Sequence, residues 1–282
     1  MRLFKHLQLV PVCLVFFFSA CNSTPAPHIE ISESTTLNEQ ISPLPSLNSE
    51  KNEAPLQEFW DVTDVDISEI DESRKLIAFT FDDSPARTFE SILTVFASFN
   101  EENKDCKASA TVFFNGGLFR EDTPSLLSLA LALDFELGNH THSHYDLTTL
   151  NKETLVEEIE RTDYLLEQAD GIKRHLLRAP FGKTNELVKA CAKTPIIDWT
   201  IDTLDWTGAS EQAIYDSVFN NRFSGAIVLM HDGYEGTVSA LKRLLPDLKA
   251  DGYQVVSVSK MIKAHGCNFR NGDVYIRARK QN

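Results

Sequence analysis

The chain has 282 residues, 42% apolar and 24% charged, and 27 basic residues face 41 acidic ones for a net charge of −14. That balance is globular and excludes a wholly disordered or collagen-like chain. The acidity argues against nucleic acid as a partner, because phosphate backbones need a basic surface, and no apolar run reaches the roughly 18–20 residues of a bilayer span.

The first segment reads as an address. Arg2 and Lys5 precede an apolar run from Leu7 to Phe18, followed by the small residues Ser19 and Ala20 and then Cys21. A charged start, a short apolar middle and a small-residue end mark a secretory signal peptide over residues 1–20. The Phe-Ser-Ala-Cys ending resembles a bacterial lipoprotein signal, with Phe18 where leucine is usual. That resemblance implies lipidation of Cys21, a membrane anchor and a place in the cell envelope, periplasmic or outer-membrane. Asn22 after Cys21 favours the outer membrane where the cell has one. The alternative is an ordinary signal peptide in which Cys21 is incidental.

Residues 22–72 hold 12 acidic residues and only Lys51 as a base, amid Ser, Thr, Pro and Asn. Such a stretch buries little apolar surface, so 21–72 is expected to be an acidic disordered tether. A short ordered cap around Phe59 and Trp60 is the alternative. Residues 73–282 carry the dense apolar runs and are expected to form one catalytic domain. Their three cysteines, Cys106, Cys191 and Cys267, match no metal spacing and read as buried thiols.

Short apolar runs recur through the domain: 76–81, 110–114, 135–138, 176–179, 196–201, 226–230 and 253–258. Helical patterns lie between most of them. Leu155, Ile159, Leu165 and Leu166 repeat near the helical period, as do Leu241, Leu244, Leu245 and Leu248 before Gly252. Alternating strands and helices predict an α/β fold with a parallel sheet. Seven such units favour an incomplete barrel over a doubly wound sheet, a choice that periodicity alone does not make.

The chemically active residue types fall at the carboxyl ends of these strands, where barrel and open-sheet active sites form. Asp82 and Asp83 follow the first run. Strand neighbours point to opposite faces, so the two need a turn to act together. Like charges held close also cost energy unless a cation or hydrogen bonds compensate, and a metal on one would leave the other free as a base. His140 and His144 follow the third run at a spacing that brings both to one side of a helical turn. With Asp83 they make a His, His, Asp set suited to zinc or a similar transition metal, while His142 lies off that face. Arg178, in Arg178-Ala-Pro-Phe-Gly182, can hold the Asp82 carboxylate. Asp202 and Asp205 follow the fifth run and His231 ends the sixth, which pairs a carboxylate with an imidazole and raises its pKa. Trp206 and Leu229 can wall a small apolar site. Singly, each has a bland reading: a solvated turn, a surface histidine cluster, a strand-end ion pair, a core tryptophan.

Together and in this order, the five blocks resemble the polysaccharide deacetylase family, the NodB-type domain of carbohydrate esterase family 4, over essentially all of 73–282. The resemblance implies a distorted (β/α)7 barrel. It makes Asp82 the catalytic base, Asp83, His140 and His144 the metal ligands, Arg178 the support of the base, and Asp205 the residue that orients His231, the catalytic acid. Asp202 would stand behind them. Phe181 replaces a common tyrosine and would still offer its backbone N–H to the oxyanion. Trp206 and Leu229 become substrate contacts, and Ser84 stands where glycine is common. The implied activity is removal of N-acetyl groups from an N-acetylglucosamine-containing envelope or extracellular polysaccharide, with zinc as first metal and cobalt, nickel or iron fitting the same ligands. The alternatives are an O-acetyl esterase acting on xylan or another glycan, and a non-catalytic carbohydrate-binding lipoprotein.

Overall fold

A computed structural model describes residues 58–279; the expected signal segment and Cys21 lie outside the described residues. In chain order the elements are β1 (Lys75–Ser84), α1 (Phe89–Glu102), β2 (Thr111–Phe114), α2 (Thr123–Ala132), β3 (Glu136–Asn139), α3 (Lys152–Asp170), α4 (Glu186–Cys191), β4 (Ile196–Ile197), β5 (Ile201–Asp202), α5 (Glu211–Asn221), β6 (Ile227–His231), α6 (Glu235–Ala250), β7 (Tyr253–Val256), α7 (Val258–His265) and β8 (Val274–Tyr275).

The strand pairs are parallel. β1 is central: one run of it, Ala78–Asp82, pairs with β6, its first residues pair with β7, and Thr80–Ser84 pairs with β2. β3 adds to β2, and β5 adds to β6. The path from β3 to β4 runs through single parallel bridges at Leu177, to Asn139 and to Ile196. The expected strand at 176–179 is thus reduced to the single residue Leu177, bridged on both sides, because Arg178 turns its carbonyl and side chain to other partners. The expected strand at 196–201 is broken between β4 and β5. Between them the chain itself carries the wall across to β6, so the sheet is a distorted (β/α)7 barrel with one thin side.

Strand phase decides what faces the inside. Ile77, Phe79 and Phe81 join the cluster with Phe89, Ile92, Leu93 and Phe96 of α1 and Leu241, Leu244, Leu245 and Leu248 of α6. Both helices present apolar residues at three- and four-residue spacing, the stripe that docks on a sheet. The alternate residues Leu76 and Ala78 belong to an inner cluster with Phe113, Leu176, Ile197, Ile227 and Val256. Continuing that phase puts Thr80 and Asp82 inside from β1, Arg178 inside after Leu176, and Leu229 and His231 inside from β6. The barrel is therefore apolar at its amino-terminal end and polar at its carboxyl-terminal end.

The expected tether overshoots. From Glu58 onward it lies along the domain: Phe59 bridges Arg270, Trp60 N–H donates to the Phe269 carbonyl, and Trp60 Nε1 donates to Ser259 Oγ at 3.0 Å. Trp60, Val62 and Ile70 pack on the inner cluster and supply the apolar surface that orders a stretch whose composition reads as disordered, while Phe59 stays exposed. The three cysteines are free and buried. Among the described residues no helix is long and apolar enough to cross a membrane.

One buried titratable cluster lies outside the barrel interior. His175 sits between Asp163 and Asp170, at 2.9 and 3.1 Å, with half-buried Glu136 also within electrostatic reach. Burial disfavours its charge, but the two carboxylates outweigh that and push its pKa up to about 9. A group raised in the folded state stabilises below its unfolded pKa of roughly 6.5 and loses that contribution as pH rises through the folded value. The stability advantage of wild type over His175→Gln, on the order of 3 kcal/mol at pH 6, should shrink steadily to pH 9.5 in urea unfolding. A pH-independent difference would contradict this assignment.

Candidate active site

Asp82 ends the inward-facing run of β1 and is buried. Its Oδ1 accepts from Arg178 Nη1 at 2.8 Å. Arg178 has no exposure at all. Its guanidinium also donates to Thr80 Oγ1 at 2.6 Å, to the Ile197 carbonyl at 2.8 Å and to the Asp198 carbonyl at 3.3 Å, and it lies 4.2 Å from the Phe113 ring centre. Planar, five-donor geometry suits arginine to this many fixed acceptors.

Asp83 would point away from the interior if the strand continued. Instead its φ is +62°, and the β1–β2 register shifts between Phe81 and Ser84. The kink brings Asp83 Oδ1 to 3.6 Å from His140 Nε2 and 3.4 Å from His144 Nε2. These three ligand atoms lie within 4.8 Å of one another. His140 donates Nδ1–H to the Arg178 carbonyl at 2.8 Å, which leaves Nε2 as the free lone pair aimed at Asp83. The His144 ring packs on those of His140 and Phe181, at 4.9 and 4.8 Å. Burial and the neighbouring imidazole push the His144 pKa down, which favours the neutral, ligating form.

The expected helical turn under the two histidines is absent. His140 follows β3, and the loop to His144 contains two left-handed residues, Thr141 at φ +67° and His144 at +56°. Two local reversals bring the rings together where the i, i+4 spacing predicts a helical turn. His142 is turned away, half-buried, with its carbonyl accepting from Gly117 N–H. One oxygen of the buried Glu158 carboxylate accepts the Ser143 N–H at 2.6 Å and clamps the loop onto α3.

His231 stands level with Asp82 in the β1–β6 register. Its Nδ1 donates to Asp205 Oδ1 at 2.8 Å, and its backbone N–H donates to Asp205 Oδ2 at 2.7 Å. Thr237 Oγ1 and Trp206 N–H complete the set around buried Asp205. Burial opposes charge on His231, but the Asp205 hydrogen bond and the charges of Asp82, Asp205 and Asp83 overcome it, so its pKa is raised. The same contacts outweigh burial at Asp205 and hold its pKa low.

The remaining expected residues divide. Phe181 is 62% exposed at φ +61°, in a turn whose own bonds come from Gly182 and Lys183 N–H. Trp206 is exposed at the rim and Leu229 is buried inside β6. Asp202 does not stand behind the imidazole: its Oδ1 accepts Leu204 N–H and shapes the turn into Asp205. Asp232 went unnoticed in the sequence. Its carboxylate accepts from Ala86 N–H, Thr88 N–H, Thr88 Oγ1 and Ser84 Oγ, and its N–H donates to the Asp82 carbonyl. It ties the end of β6 to the loop after β1, and burial raises its pKa. The signal was present, a carboxylate directly after His231.

Comparison with known proteins follows the same lines. A match to the family described as polysaccharide deacetylase covers residues 69–195. The chain is 34% identical to a peptidoglycan-N-acetylglucosamine deacetylase of Bacillus cereus over 206 residues, 69% of this chain and 92% of that protein. The chain belongs to the polysaccharide deacetylase family. It is also 31% identical to the peptidoglycan-N-acetylmuramic acid deacetylase PdaC of Bacillus subtilis, over 68% of this chain but only 40% of that longer protein. Among solved structures, the Xyl-CE4 domain of a multidomain xylanase from the hindgut metagenome of Trinervitermes trinervoides superposes with a TM-score of 0.68 at 26% identity, covering 74% of this chain and all of that one.

Asp205, Trp206, Leu229 and His231 of this polysaccharide deacetylase family member lie after residues 69–195, which the family match covers, and their arrangement is read here from the geometry. Asp205→Asn removes the anionic partner and should lower the His231 pKa. An NMR titration of the imidazole would show the midpoint moving down; an unchanged midpoint would contradict the pairing.

Proposed function

We propose that the protein is a metal-dependent hydrolase that removes N-acetyl groups from N-acetylglucosamine units of an envelope or extracellular glycan and releases acetate. One observation carries the reading. Asp83, His140 and His144 converge, while the adjacent Asp82 has one oxygen committed to Arg178 and so stays beside the ligand set. The donors fit a transition metal, with two imidazoles, one carboxylate and a tautomer already fixed at His140. Zinc is the metal we propose, and cobalt, nickel or iron suits the same atoms. Bound there, a divalent cation would supply Lewis acidity toward the acetyl group and lower the pKa of a water toward about 7.

The chain's own residues supply the rest. Asp82 accepts the proton of the water that adds to the carbonyl carbon. Phe181, in its left-handed turn, donates its backbone N–H to the carbonyl oxygen as negative charge develops on it. His231, charged through Asp205, gives its proton to the nitrogen as the C–N bond breaks. Acetate and a free amine leave. Because the acid must be protonated and its pKa is raised, activity should persist above the ordinary histidine range and fall as pH rises further. Trp206 and Leu229 flank this arrangement from the short turn after β5 and from β6 as substrate contacts.

Likeness to proteins named as peptidoglycan N-acetylglucosamine deacetylases supports the N-acetyl substrate. Likeness to a xylanase-associated domain supports a second reading, O-acetyl removal from xylan with the same residues. The signal and lipid-anchor reading of 1–21 fits either, placing the domain outside the inner membrane with envelope glycans in reach.

Acetate release from N-acetylglucosamine oligomers against acetylated xylan separates the two. Asp82→Asn should retain metal and lose at least about 100-fold in turnover, whereas His140→Ala should lose both. Turnover by metal-free His140→Ala protein would overturn the mechanism.

A further inference from the structure

Behind the ligand loop runs a line of buried polar groups that the chemistry above does not use. Asp163, in the middle of α3, is buried, as are Asn139, Thr141 and His175. Its Oδ1 accepts from three donors: Asn139 Nδ2 at 2.8 Å, His175 Nδ1 at 2.9 Å and His175 N–H at 3.3 Å. The other ring nitrogen of His175 reaches Asp170 at 3.1 Å. Asn139 Nδ2 also donates to the Ile159 carbonyl at 2.9 Å, while its Oδ1 accepts Thr141 N–H at 2.8 Å.

This bonding permits one orientation of the Asn139 amide. Both acceptors lie on its nitrogen side, and only its oxygen can receive the Thr141 N–H. A flipped amide would set donor against donor at Thr141 and strand Asp163. Thr141 needs the support, since a left-handed φ is unfavourable for a threonine and persists only where surroundings over-determine it. That kink directly follows His140 and starts the reversal that returns His144 to Asp83.

We propose that His175, Asp163 and Asn139 are positioning residues for the metal-ligand loop. His175 anchors Asp163, Asp163 orients the Asn139 amide, and the amide holds the Thr141 kink that brings His140 and His144 beside Asp83. His175 also lies three residues before Arg178, whose carbonyl orients His140, so one anchor bears on the ligand from two directions. The inference rests on the metal reading above. Glu158 clamps the same loop independently through Ser143, which keeps the loop in place when the line is cut.

The test is metal affinity. Chelator-stripped full-length protein is titrated with zinc against a chromophoric competitor. Asn139→Ala and His175→Gln should each weaken zinc binding about 10- to 100-fold. The double variant should fall well short of the product of the two, because both act along one line. Leu248→Ala, in the core beneath α6, should lower Tm yet leave the zinc Kd within about two-fold, which separates positioning from general destabilisation. The cobalt-loaded absorption spectrum should change in His175→Gln, a variant that keeps one donor toward Asp163 and serves alone if Asn139→Ala does not fold. Zinc Kd values unchanged in the variants, effects that multiply in the double variant, or an unaltered cobalt spectrum in His175→Gln would overturn the proposal. A wild type that binds neither zinc nor cobalt would instead overturn the metal reading, a result distinct from tight binding that survives both substitutions.

Discussion

The buried pair of Arg178 and Asp82 is the constraint on which the site depends. A guanidinium with no solvent exposure needs its donors occupied, and here the Ile197 and Asp198 carbonyls, Thr80 and Asp82 take four of the five N–H groups over the face of Phe113. Deleting one partner of such a pair leaves an uncompensated charge in a low-dielectric interior, at a typical cost of about 3–5 kcal/mol. The same residue reaches further through its backbone. Its carbonyl orients His140, and the chain after it turns into Phe181. One arginine thus links the carboxylate proposed as base, a proposed ligand and the turn proposed to meet the oxyanion.

Backbone strain gathers around that pair. Six non-glycine residues are left-handed among the described residues, and five of them gather on the side of the site: Asp83 at the kinked end of β1, and Thr141, His144, Phe181 and Leu204 in the loops beyond the strands. Each such residue costs of order 1–3 kcal/mol and is held only by what surrounds it. The holders are visible: Arg178 beneath Asp82, Asp232 across the loop after β1, Glu158 and Asn139 under the histidine loop, Asp205 under His231. The amino-terminal half of the barrel, apolar and regular, offsets this cost through the clusters of α1 and α6.

Much of this was legible from residue type and period. The alternation of strands and helices follows from periods of two and of three to four, and the gathering of Asp82, Asp83, His140, Arg178, Asp205 and His231 at one end of the sheet follows from where the apolar runs stop. What failed to show was local backbone geometry. A spacing of four between histidines fits a helical turn as well as a doubly kinked loop, and nothing in Thr141 announces a positive φ. The run at 176–179 reads as a strand because its apolar content is real, yet Arg178 spends its carbonyl on His140. The ordered cap around Phe59 and Trp60 was legible as the alternative to a tether, but the acidic, polar composition of 22–72 outweighed its few apolar residues. His175, Asp163 and Asp232 carry no motif, since their partners are distant in the chain and meet only after folding.

Anomalous diffraction at the zinc edge from crystals of the metal-loaded protein tests the central claim most directly. The account requires a single peak within ligand distance of Asp83, His140 and His144, with the Asp82 carboxylate outside that sphere and still on Arg178. A peak elsewhere, or one ligated by Asp82 in place of Asp83, would contradict it.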